Sequence, residues 1–491
     1  DINTGAHFKD GSVVLADNGT LSVNGELIDF GVIGTNDTDG NLQITNSWNT
    51  SLADQLQLSG GTVSGAQITN GGLTTGFGTI QTVGFDNSAT LTAMGGTLTL
   101  DTVAIPDLDG SLNSGVINAV NGDVEVTAAG GISVFQGTLN VGDGFAFRML
   151  SRRLNNEGLV SMNGGTAAVA AFRQASQLRV HSGAAATIVS PNQLFGSPSN
   201  NLIEDDLQID GSAQVESGAN FVGAGRMIVL NGSTLQLLDG ATMGIDVINS
   251  GLVLVGSSPG LAKVVDFEQT SRGEWVVELG GTLPGTEYDA LLVTGNATLA
   301  GSLAMQPIAP YVDPAVRGTV DEFDILIADS VVGTFDDVSY DAIPLTPTFV
   351  DVNGSFRSHQ GNGLFRNVNY TRTSVEVENL LAMDGDVDGD RDIDITDYNI
   401  LMDNFDPNGL SLPNEWIEGN FDNDNDIDMT DFGLLSANFS PGFYGAASTI
   451  PEPTAFCLWL AGCLFLGMFY RQSQFVAVEH GAVDRFSPNQ D

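Results

Sequence analysis

Cysteine is almost absent from this chain of 491 residues, and the two cysteines present, Cys457 and Cys463, lie in one C-terminal apolar stretch. The sequence before Cys457 therefore has no thiol, which excludes disulfide cross-links and metal–thiolate sites from most of the protein. Histidine is nearly as scarce, and its four positions show no metal-binding spacing such as H-E-x-x-H. These histidines are His7, His181, His359 and His480.

Basic residues are also few, and lysine occurs only at Lys9 and Lys263. The chain carries 16 basic residues against 60 acidic ones, which gives a formal net charge of −44 at pH 7. Nucleic acid and anionic lipid surfaces would repel such a polyanion, so neither is expected as a partner. Calcium ions, or a neutral or basic surface, fit this charge better. For the body of the protein, an equally good explanation is that acidity keeps an extracellular protein in solution.

Helical patterns are scarce from residue 1 to about 260, where short runs of alternating apolar and polar residues are broken by glycine and asparagine. Thr97-Leu-Thr-Leu100 and Ser233-Thr-Leu-Gln-Leu237 show the period of two that is typical of half-buried strands. Asn-Gly dipeptides such as Asn24-Gly25 mark the turns between the runs, because both residues tolerate positive φ. The body is therefore predicted to be all-β.

Loose repeats in the same region favour a parallel β-helix over a β-sandwich. Asn155-Asn-Glu-Gly158-Leu-Val160 returns in similar form as Ile248-Asn-Ser-Gly251-Leu-Val253. Such repeats predict a parallel β-helix, or solenoid, over residues 1–260, in which each coil covers the apolar face of the next. A β-sandwich is the competing interpretation. Residues 145–154 fit either a short helix or a bulged strand.

Further segments carry a resemblance to the autotransporter-type β-repeat passengers. They are Asn249-Ser-Gly-Leu-Val-Leu-Val-Gly-Ser-Ser-Pro-Gly260, Glu274-Trp-Val-Val-Glu-Leu-Gly-Gly-Thr282, and residues 284–289 and 292–295. The resemblance implies a right-handed parallel β-helix that acts as a surface scaffold or adhesin. Residues 261–375 contain longer strands and are predicted to form a β-rich cap or sandwich that closes the solenoid.

The strongest motif is a pair of acidic loops within residues 384–439, which align with each other without a gap. The first loop begins Asp386-Val-Asp388-Gly-Asp390, and the second begins Asn420-Phe-Asp422-Asn-Asp424. The match continues into the apolar positions of a helix predicted after each loop. An acidic solvated linker, the alternative interpretation, would not predict that duplicated helix face.

Calcium prefers six to eight oxygen ligands, and a twelve-residue loop supplies them from positions 1, 3, 5, 7, 9 and 12. Residues 384–431 hold 16 acidic side chains and one basic residue, Arg391, so a cation is needed to offset their repulsion. Two Ca²⁺ ions are therefore predicted, with Ile393 and Ile427 at position 8 packing into a small core between the loops. The predicted ligands are Asp386, Asp388, Asp390, Asp392 (through its backbone carbonyl), Asp394 and Asp397 in the first loop, and Asn420, Asp422, Asp424, Asp426 (through its backbone carbonyl), Asp428 and Asp431 in the second.

Paired loops closed by aspartate resemble type I dockerin modules, which implies that residues 384–439 form a small α-helical module with paired EF-hand-like loops. Dockerins bind cohesins and attach polysaccharide-degrading enzymes to larger assemblies, so the resemblance implies a cohesin-like domain as a partner. Position 6, usually glycine, departs from that pattern, because it is Arg391 in one loop and Asn425 in the other. Positions 10 and 11, which carry partner recognition in cellulosomal dockerins, are Ile395-Thr396 and Met429-Thr430. Calcium binding therefore carries over more securely than cohesin binding.

A proline motif, an apolar run and a basic residue follow the loops in that order. Pro451-Glu452-Pro453 precedes 17 uncharged residues and then Arg471, and as a helix the run would span about 26 Å. This order resembles the PEP-CTERM sorting signal, which implies processing by an exosortase-type enzyme at the envelope of exopolysaccharide-producing Gram-negative bacteria. Residues 450–471 are predicted to be a sorting and transmembrane segment, which a linker (440–449) precedes and a tail (472–491) follows.

No catalytic constellation emerges from the sequence. Glu204-Asp205-Asp206 is the densest acidic group in the predicted solenoid, and a solvated turn explains it better than the paired carboxylates of a polysaccharide hydrolase or lyase. The chain is therefore predicted to be an exported bacterial protein on the outer surface of the cell envelope, with a structural or adhesive function. The alternative is a dockerin-borne carbohydrate-active enzyme on a β-helix, and in either case an extracellular polysaccharide is an expected partner.

Overall fold

The computed structural model describes residues 12–444, except 25–30, 53, 103–113, 128–131, 184, 351–353 and 411–413. The predicted sorting segment with Pro451, Glu452, Pro453 and Arg471, and the tail after it, lie outside the described residues.

The chain divides into two compact units. The first runs through Ala382 and includes Glu415–Ile417, and the second comprises Met383–Asn414 and the residues from Glu418 onward. Each unit has its own secondary structure, since the described strands belong to the first and the two described α-helices to the second.

Forty strands make up most of the described part of the first unit, where no α-helix occurs. In chain order they are β1 (Val13–Ala16), β2 (Thr20–Val23), β3 (Val32–Thr35), β4 (Asn41–Ile44), β5 (Trp48–Thr50), β6 (Gln55–Gly65), β7 (Ile68–Asn70), β8 (Leu73–Thr82), β9 (Phe85–Asn87), β10 (Thr90–Thr102), β11 (Val116–Asn121), β12 (Val124–Val126), β13 (Ile132–Phe135), β14 (Thr138–Gly142), β15 (Ala146–Asn156), β16 (Leu159–Asn163), β17 (Thr166–Gln174), β18 (Gln177–Val180), β19 (Ala186–Phe195), β20 (Ser199–Ile203), β21 (Leu207–Val215), β22 (Ala219–Val222), β23 (Arg226–Val229), β24 (Thr234–Leu237), β25 (Asp246–Asn249), β26 (Leu252–Val255), β27 (Leu261–Val264), β28 (Phe267–Gln269), β29 (Glu274–Leu279), β30 (Ala290–Val293), β31 (Asn296–Leu299), β32 (Ser302–Pro307), β33 (Thr319–Ile327), β34 (Ser330–Gly333), β35 (Asp337–Tyr340), β36 (Ile343–Pro344), β37 (Phe349–Val350), β38 (Phe356–His359), β39 (Leu364–Tyr370) and β40 (Ser374–Leu381).

Thirty of these strands form one continuous sheet that winds as a β-helix of about 11 turns. The pairing is parallel throughout this sheet except at its last hairpin, β35–β36. Each strand pairs in register with a strand of the next coil, as Ile33 does with Leu56 and Leu56 with Thr74. The β-helix predicted from period-two patterning is confirmed, and the β-sandwich alternative for this region is wrong.

A second sheet contains seven strands, in the order β27-β30-β33-β40-β39-β38-β37. It corresponds only in part to the predicted cap region, residues 261–375. Its first strand, β27, begins at Leu261, close to the predicted boundary at residue 260. The β-helix sheet nevertheless continues through Pro344, because strands such as β29 keep the alternating pattern that stacks on the preceding coil. Solenoid and cap strands therefore alternate along the chain instead of following one another.

Residues 145–154, for which the sequence left a helix and a bulged strand open, lie almost entirely in β15. The pairing of β15 with β17 shifts register between Met149 and Arg153, which is the signature of a bulge. The bulged-strand interpretation is therefore the right one.

In parts of the β-helix interior, side chains of one kind contact each other from coil to coil. Phe172, Phe195 and Phe221 come from successive coils, with ring centroids 6.2 and 5.3 Å apart and edge-to-face geometry. Buried amides stack in the same way, since Asn70 donates to the Asn87 side chain at 2.7 Å. These contacts satisfy buried polar groups and hold the coils in register.

Coil spacing leaves no room for a side chain at several glycines, of which Gly76 is an example. Its φ is +117°, and a Cβ atom there would lie 1.7 Å from the carbonyl oxygen of Leu58 in the preceding coil. Gly183 has a similar φ of +107°, but a Cβ atom there would meet nothing within 4 Å. Substitutions at these two glycines therefore distinguish two costs. Both would place a side chain at an unfavourable positive φ, but only the one at Gly76 would also collide with backbone.

We predict that Gly76→Ala destabilises the β-helix far more than Gly183→Ala does. The Gly183 substitution should lower the free energy of unfolding by about 1–2 kcal/mol through its positive φ. At Gly76 the collision with backbone adds about 1–3 kcal/mol, as overpacking does in other cores. Urea denaturation of the two variants measures the difference. Equal losses would show that coil spacing at Gly76 is not limiting.

Candidate metal centre

Each acidic loop of the second unit leads directly into a helix, α1 (Ile395–Asp403) after the first and α2 (Met429–Asn438) after the second. A short 3₁₀ turn, Trp416–Glu418, lies between them in the sequence. The N-caps of the helices are Asp394 and Asp428, whose side chains accept the N–H groups two residues later, both at 2.6 Å. A capped helix start fixes the direction of every loop residue just before it.

The last predicted ligand of each loop is buried at this helix start. Asp397 is 1% exposed and Asp431 is fully buried. Asp397 accepts the N–H groups of Val387 at 2.7 Å and Asp394 at 2.8 Å, so it ties the beginning of the loop to its end. Asp431 makes the matching pair of bonds with Phe421 and Asp428, at 2.7 and 2.9 Å. Position 12 therefore closes both loops by the same capping-box geometry.

The position-8 isoleucines are buried, as predicted, but each pairs with the chain that leaves the other loop's helix. Ile393 bridges Ser440, and Ile427 bridges Asp406, each through two backbone hydrogen bonds. Ser440 and Asp406 are themselves equivalent positions of the duplicated sequence. The two loops therefore make equivalent backbone pairings, each with the segment that follows the helix of the other loop.

Carboxylate groups converge in both loops. Oxygen atoms from Asp386, Asp388 and Asp397 lie within 4.8 Å of one another, and so do those of a second group in the same loop. That group and its counterpart in the other loop are Asp392, Asp394 and Asp397, and Asp426, Asp428 and Asp431. The remaining predicted acidic ligands form Asx-type turns, in which each side chain accepts the N–H two residues on. They are Asp390, Asp422 and Asp424.

Position 1 differs between the loops in both chemistry and surroundings. Asp386 is fully buried, and its Oδ1 accepts the Gly389 N–H at 2.6 Å. Asn420 is 3% exposed, and its Nδ2 donates to the backbone carbonyls of Asn414 at 3.0 Å and Asp424 at 2.9 Å. The Oδ1 of Asn420 is buried without a hydrogen-bond partner. A buried amide oxygen without a hydrogen-bond partner, at position 1 of an acidic loop, is what a cation ligand is expected to show.

Burial and crowding raise the pKa values of the loop carboxylates. Burial is the main cause for Asp397, whose pKa rises to about 6, with the Asp390 and Asp394 charges adding to it and two backbone N–H bonds opposing it. Burial raises the pKa of Asp386 well above its usual range, assisted by the neighbouring Asp397 and Asp388 charges. Both shifts express the cost of placing anions together in a dry site, which a bound cation would remove.

Position 6 of the first loop keeps the backbone shape that glycine usually supplies. Arg391 has φ of +74°, in the left-handed region that side chains seldom adopt. In the second loop the positive φ lies instead at Asn423, at +59°, where the first loop has Gly389. The departure noted in the sequence therefore carries a conformational cost at Arg391, which the loop contacts must offset.

Acidic groups of the first unit fall into two kinds. In the sequence cluster, Glu204 pairs with Arg179 at 3.0 Å and Asp206 with Arg226 at 2.8 Å, while Asp205 accepts the Gly183 N–H at 2.8 Å. The other group had not been singled out from the sequence, although two i,i+2 acidic pairs signal it. It comprises Glu322, Glu376 and Glu378, whose oxygens lie within 4.8 Å of one another on the facing strands β33 and β40.

Comparison with protein-family models and with curated proteins found no match for this chain. Among the residues that the structure describes, no helix is long and apolar enough to cross a membrane.

We predict that exchanging the position-1 residue of either loop weakens ion binding, even though Asn420→Asp creates the more usual ligand. In Asn420→Asp a carboxylate oxygen would face the Asn414 and Asp424 carbonyls that now accept from Nδ2. In Asp386→Asn an amide would meet the N–H donors of Gly389 and Arg391. Each mismatch costs about 1–3 kcal/mol, or roughly 5- to 150-fold in affinity.

Calcium titration calorimetry of the full chain measures both variants. Asp403→Asn, at the exposed end of α1 and outside the ligand set, is the control and should bind as the unmodified protein does. Tighter binding by Asn420→Asp would contradict the proposed match between each position-1 residue and its surroundings.

Proposed function

We propose that this protein is an exported, calcium-binding protein of the bacterial cell surface, whose β-helix body has a structural or adhesive role. One observation carries the proposal: the two duplicated loops each bring carboxylates together around matching helix starts, and at position 1 of the second loop the Asn420 oxygen is buried without a hydrogen-bond partner. A long parallel β-helix supplies the kind of rigid scaffold on which such a module could be displayed.

The ligand chemistry favours calcium over other metals. Residues 383–444 contain neither cysteine nor histidine, so no thiolate or imidazole is available to an ion there, and the loop side chains offer oxygen. Carboxylate and carbonyl donors suit calcium, magnesium and manganese, whereas zinc, copper and iron sites use sulfur or imidazole. Twelve-residue loops with ligands at alternating positions suit the larger, more flexible coordination of calcium. We therefore assign one Ca²⁺ to each loop.

The helix starts support a dockerin-like role for the module. Ile395 and Met429, at position 10 of the two loops, are 59% and 65% exposed, and the adjacent Thr396 and Thr430 are exposed too. Exposed apolar side chains at equivalent places on a duplicated unit form two similar surfaces, either of which a cohesin-like domain could bind. This partner goes with the resemblance to dockerins and is part of the proposal.

The body offers a surface suited to a neutral partner. Hydroxyl and amide side chains repeat in register on successive coils, one strand spacing apart: Thr20, Asn41, Thr62, Thr79 and Thr99. A row of uncharged donors and acceptors on a protein with a net charge of −44 matches the hydroxyl groups of an extracellular polysaccharide better than it matches a charged ligand. We assign this row an adhesive or scaffolding role.

The alternative, a carbohydrate-active enzyme, is favoured by one observation, the carboxylates on β33 and β40. Glu322 faces Glu378 and Asp324 faces Glu376 across these strands, so four acidic side chains share one face of the sheet. Burial and the Glu322 charge raise the pKa of Asp324, as in a carboxyl group that must donate a proton. Turnover of a polysaccharide that Glu376→Gln abolishes would favour the enzyme over the scaffold.

We predict that calcium orders the module and that each closing ligand serves one ion. Removing calcium with EDTA should speed amide hydrogen exchange throughout α1 and α2, because ion-binding free energy is folding free energy in small metal domains. Asp397→Ala and Asp431→Ala should each reduce the number of bound ions from two to one. Hydrogen-exchange mass spectrometry and equilibrium dialysis of the full chain measure the two effects.

The control for this experiment is Asp403→Ala, which removes an exposed acidic side chain from the same module. It should leave both ion sites intact. Equal exchange in EDTA and in calcium, with no ion bound by the unmodified protein, would overturn the calcium assignment.

We predict that deleting residues 450–491 releases the protein from the cell envelope into the medium. An apolar helix satisfies its own backbone within lipid, and Arg471 would hold the cytoplasmic end, as basic residues flanking a span tend to do. Each proline of Pro451-Glu452-Pro453 disfavours helix before it, which keeps that stretch extended for an exosortase-type enzyme. Fractionation of cells that express the two forms is the measurement. Retention of the truncated protein in the envelope would rule out the anchor.

A further inference from the structure

The chain just beyond α2 turns back onto the first acidic loop, and we call residues 440–444 the C-terminal strap. Ser440 and Ile393 exchange backbone hydrogen bonds of 2.9 and 3.0 Å, and the Tyr444 N–H donates to the Arg391 carbonyl at 2.9 Å. The Arg391 guanidinium lies 5.3 Å from the ring centre of Phe443. The strap therefore runs alongside positions 6 to 8 of the loop.

The last residue of the strap contacts one of the predicted ligands. Tyr444 is 9% exposed, and its hydroxyl donates a hydrogen bond to Oδ2 of Asp386, the position-1 residue. The same hydroxyl accepts the Met383 N–H at 3.0 Å, which fixes the direction of its own proton. Oδ2 of Asp386 also accepts the Arg391 N–H at 3.3 Å. The phenol thus contacts one oxygen of a carboxylate that the loop would present to an ion.

A carboxylate that is already held by a hydrogen bond loses little freedom when it binds a metal. Outer-shell partners orient metal ligands in this way, and their removal commonly lowers metal affinity about 10- to 100-fold. Asp386 is buried among like charges and occupies the first ligand position, so its orientation should strongly affect the affinity of the loop for an ion.

The second loop is held by different means. Its position-1 residue, Asn420, is oriented by the backbone carbonyls of Asn414 and Asp424. When the two repeats are aligned, the counterpart of Tyr444 is Leu410, which is 82% exposed. The internal repeat therefore includes the ligands and the pairing of Ser440, which Asp406 matches, but not the contact made by Tyr444.

We propose that Tyr444 is a positioning residue of the first cation site, and that calcium binding in that loop and docking of the C-terminal strap strengthen each other. The inference rests on the proposed calcium binding, and adds a side chain from outside the twelve-residue loop to one of its two sites. Coupling of this kind is reciprocal, so the strap must gain from the ion what the ion gains from the strap. The two loops should accordingly differ in affinity for calcium.

The first test measures affinity at the first loop alone. In full-length protein carrying Asp431→Ala, which silences the second loop, Tyr444→Phe should weaken calcium binding about 10- to 100-fold by titration calorimetry. Tyr398→Phe is the matched control, because the duplicated position already holds a phenylalanine, Phe432, and the ring contact between the two residues is kept. It should leave the affinity unchanged. Unchanged affinity in Tyr444→Phe would overturn the proposal.

The second test measures the strap, and a merely structural role for Tyr444 would not produce its result. Calcium should slow amide exchange of residues 440–444 in the unmodified protein and in Asp431→Ala, but not in Asp397→Ala, which silences the first loop. Equal protection of the strap in Asp397→Ala and Asp431→Ala would overturn the coupling. Exchange of α1 in excess calcium confirms that Tyr444→Phe still folds.

The two tests also separate this inference from the proposed function. If the unmodified protein binds no calcium, both fail together. If it binds two ions and Tyr444→Phe binds as tightly as Tyr398→Phe, calcium binding stands and the positioning role of Tyr444 is wrong.

Discussion

Parallel stacking of successive coils places each side chain directly over its counterpart, about 4.8 Å away. Repetition at that spacing favours groups that gain from lying on their own kind, as Asn87 does on Asn70, where the two side chains are hydrogen-bonded at 2.7 Å. It penalises charge, because like charges placed opposite each other repel. One row on the early coils is accordingly uncharged, at Thr20, Asn41, Thr62, Thr79 and Thr99. Carboxylates of the cluster at residues 204–206 lie instead where the few arginines or backbone N–H groups can meet them.

The second unit, in contrast, brings its acidic side chains close together. Its loops gather carboxylates into small groups, in which burial and the neighbouring charges raise the pKa values of Asp386 and Asp397. Backbone N–H groups relieve part of the cost, as the two bonds to each of Asp397 and Asp431 show. Hydrogen bonds of this kind orient the oxygens without neutralising them, and the cation proposed for each loop would supply the missing charge.

Much of this could be predicted from the sequence, because the governing patterns are local. Period-two alternation indicates strands wherever one face is buried, and the loop motif fixes its helix starts through Asp394 and Asp428. The sequence did not indicate where the solenoid ends, since a strand that joins the cap sheet, such as β27, alternates like one that joins the β-helix. Nor was the acidic face of β33 and β40 predicted from the sequence. Its two pairs, at Glu322–Asp324 and Glu376–Glu378, meet only when distant strands are placed side by side.

Duplication explains why the two loops share a proposed ligand set and yet differ in the residues that support it. The repeat copies the twelve loop positions and the following helix, so the inner contacts of Asp397 and Asp431 are nearly the same. Contacts that reach the loops from outside the repeat are free to diverge. Tyr444 and Leu410 occupy equivalent positions, and one is buried against Asp386 while the other is exposed. An ion site's ligands can therefore be recognised from a motif, whereas its affinity depends on neighbours that the motif does not include.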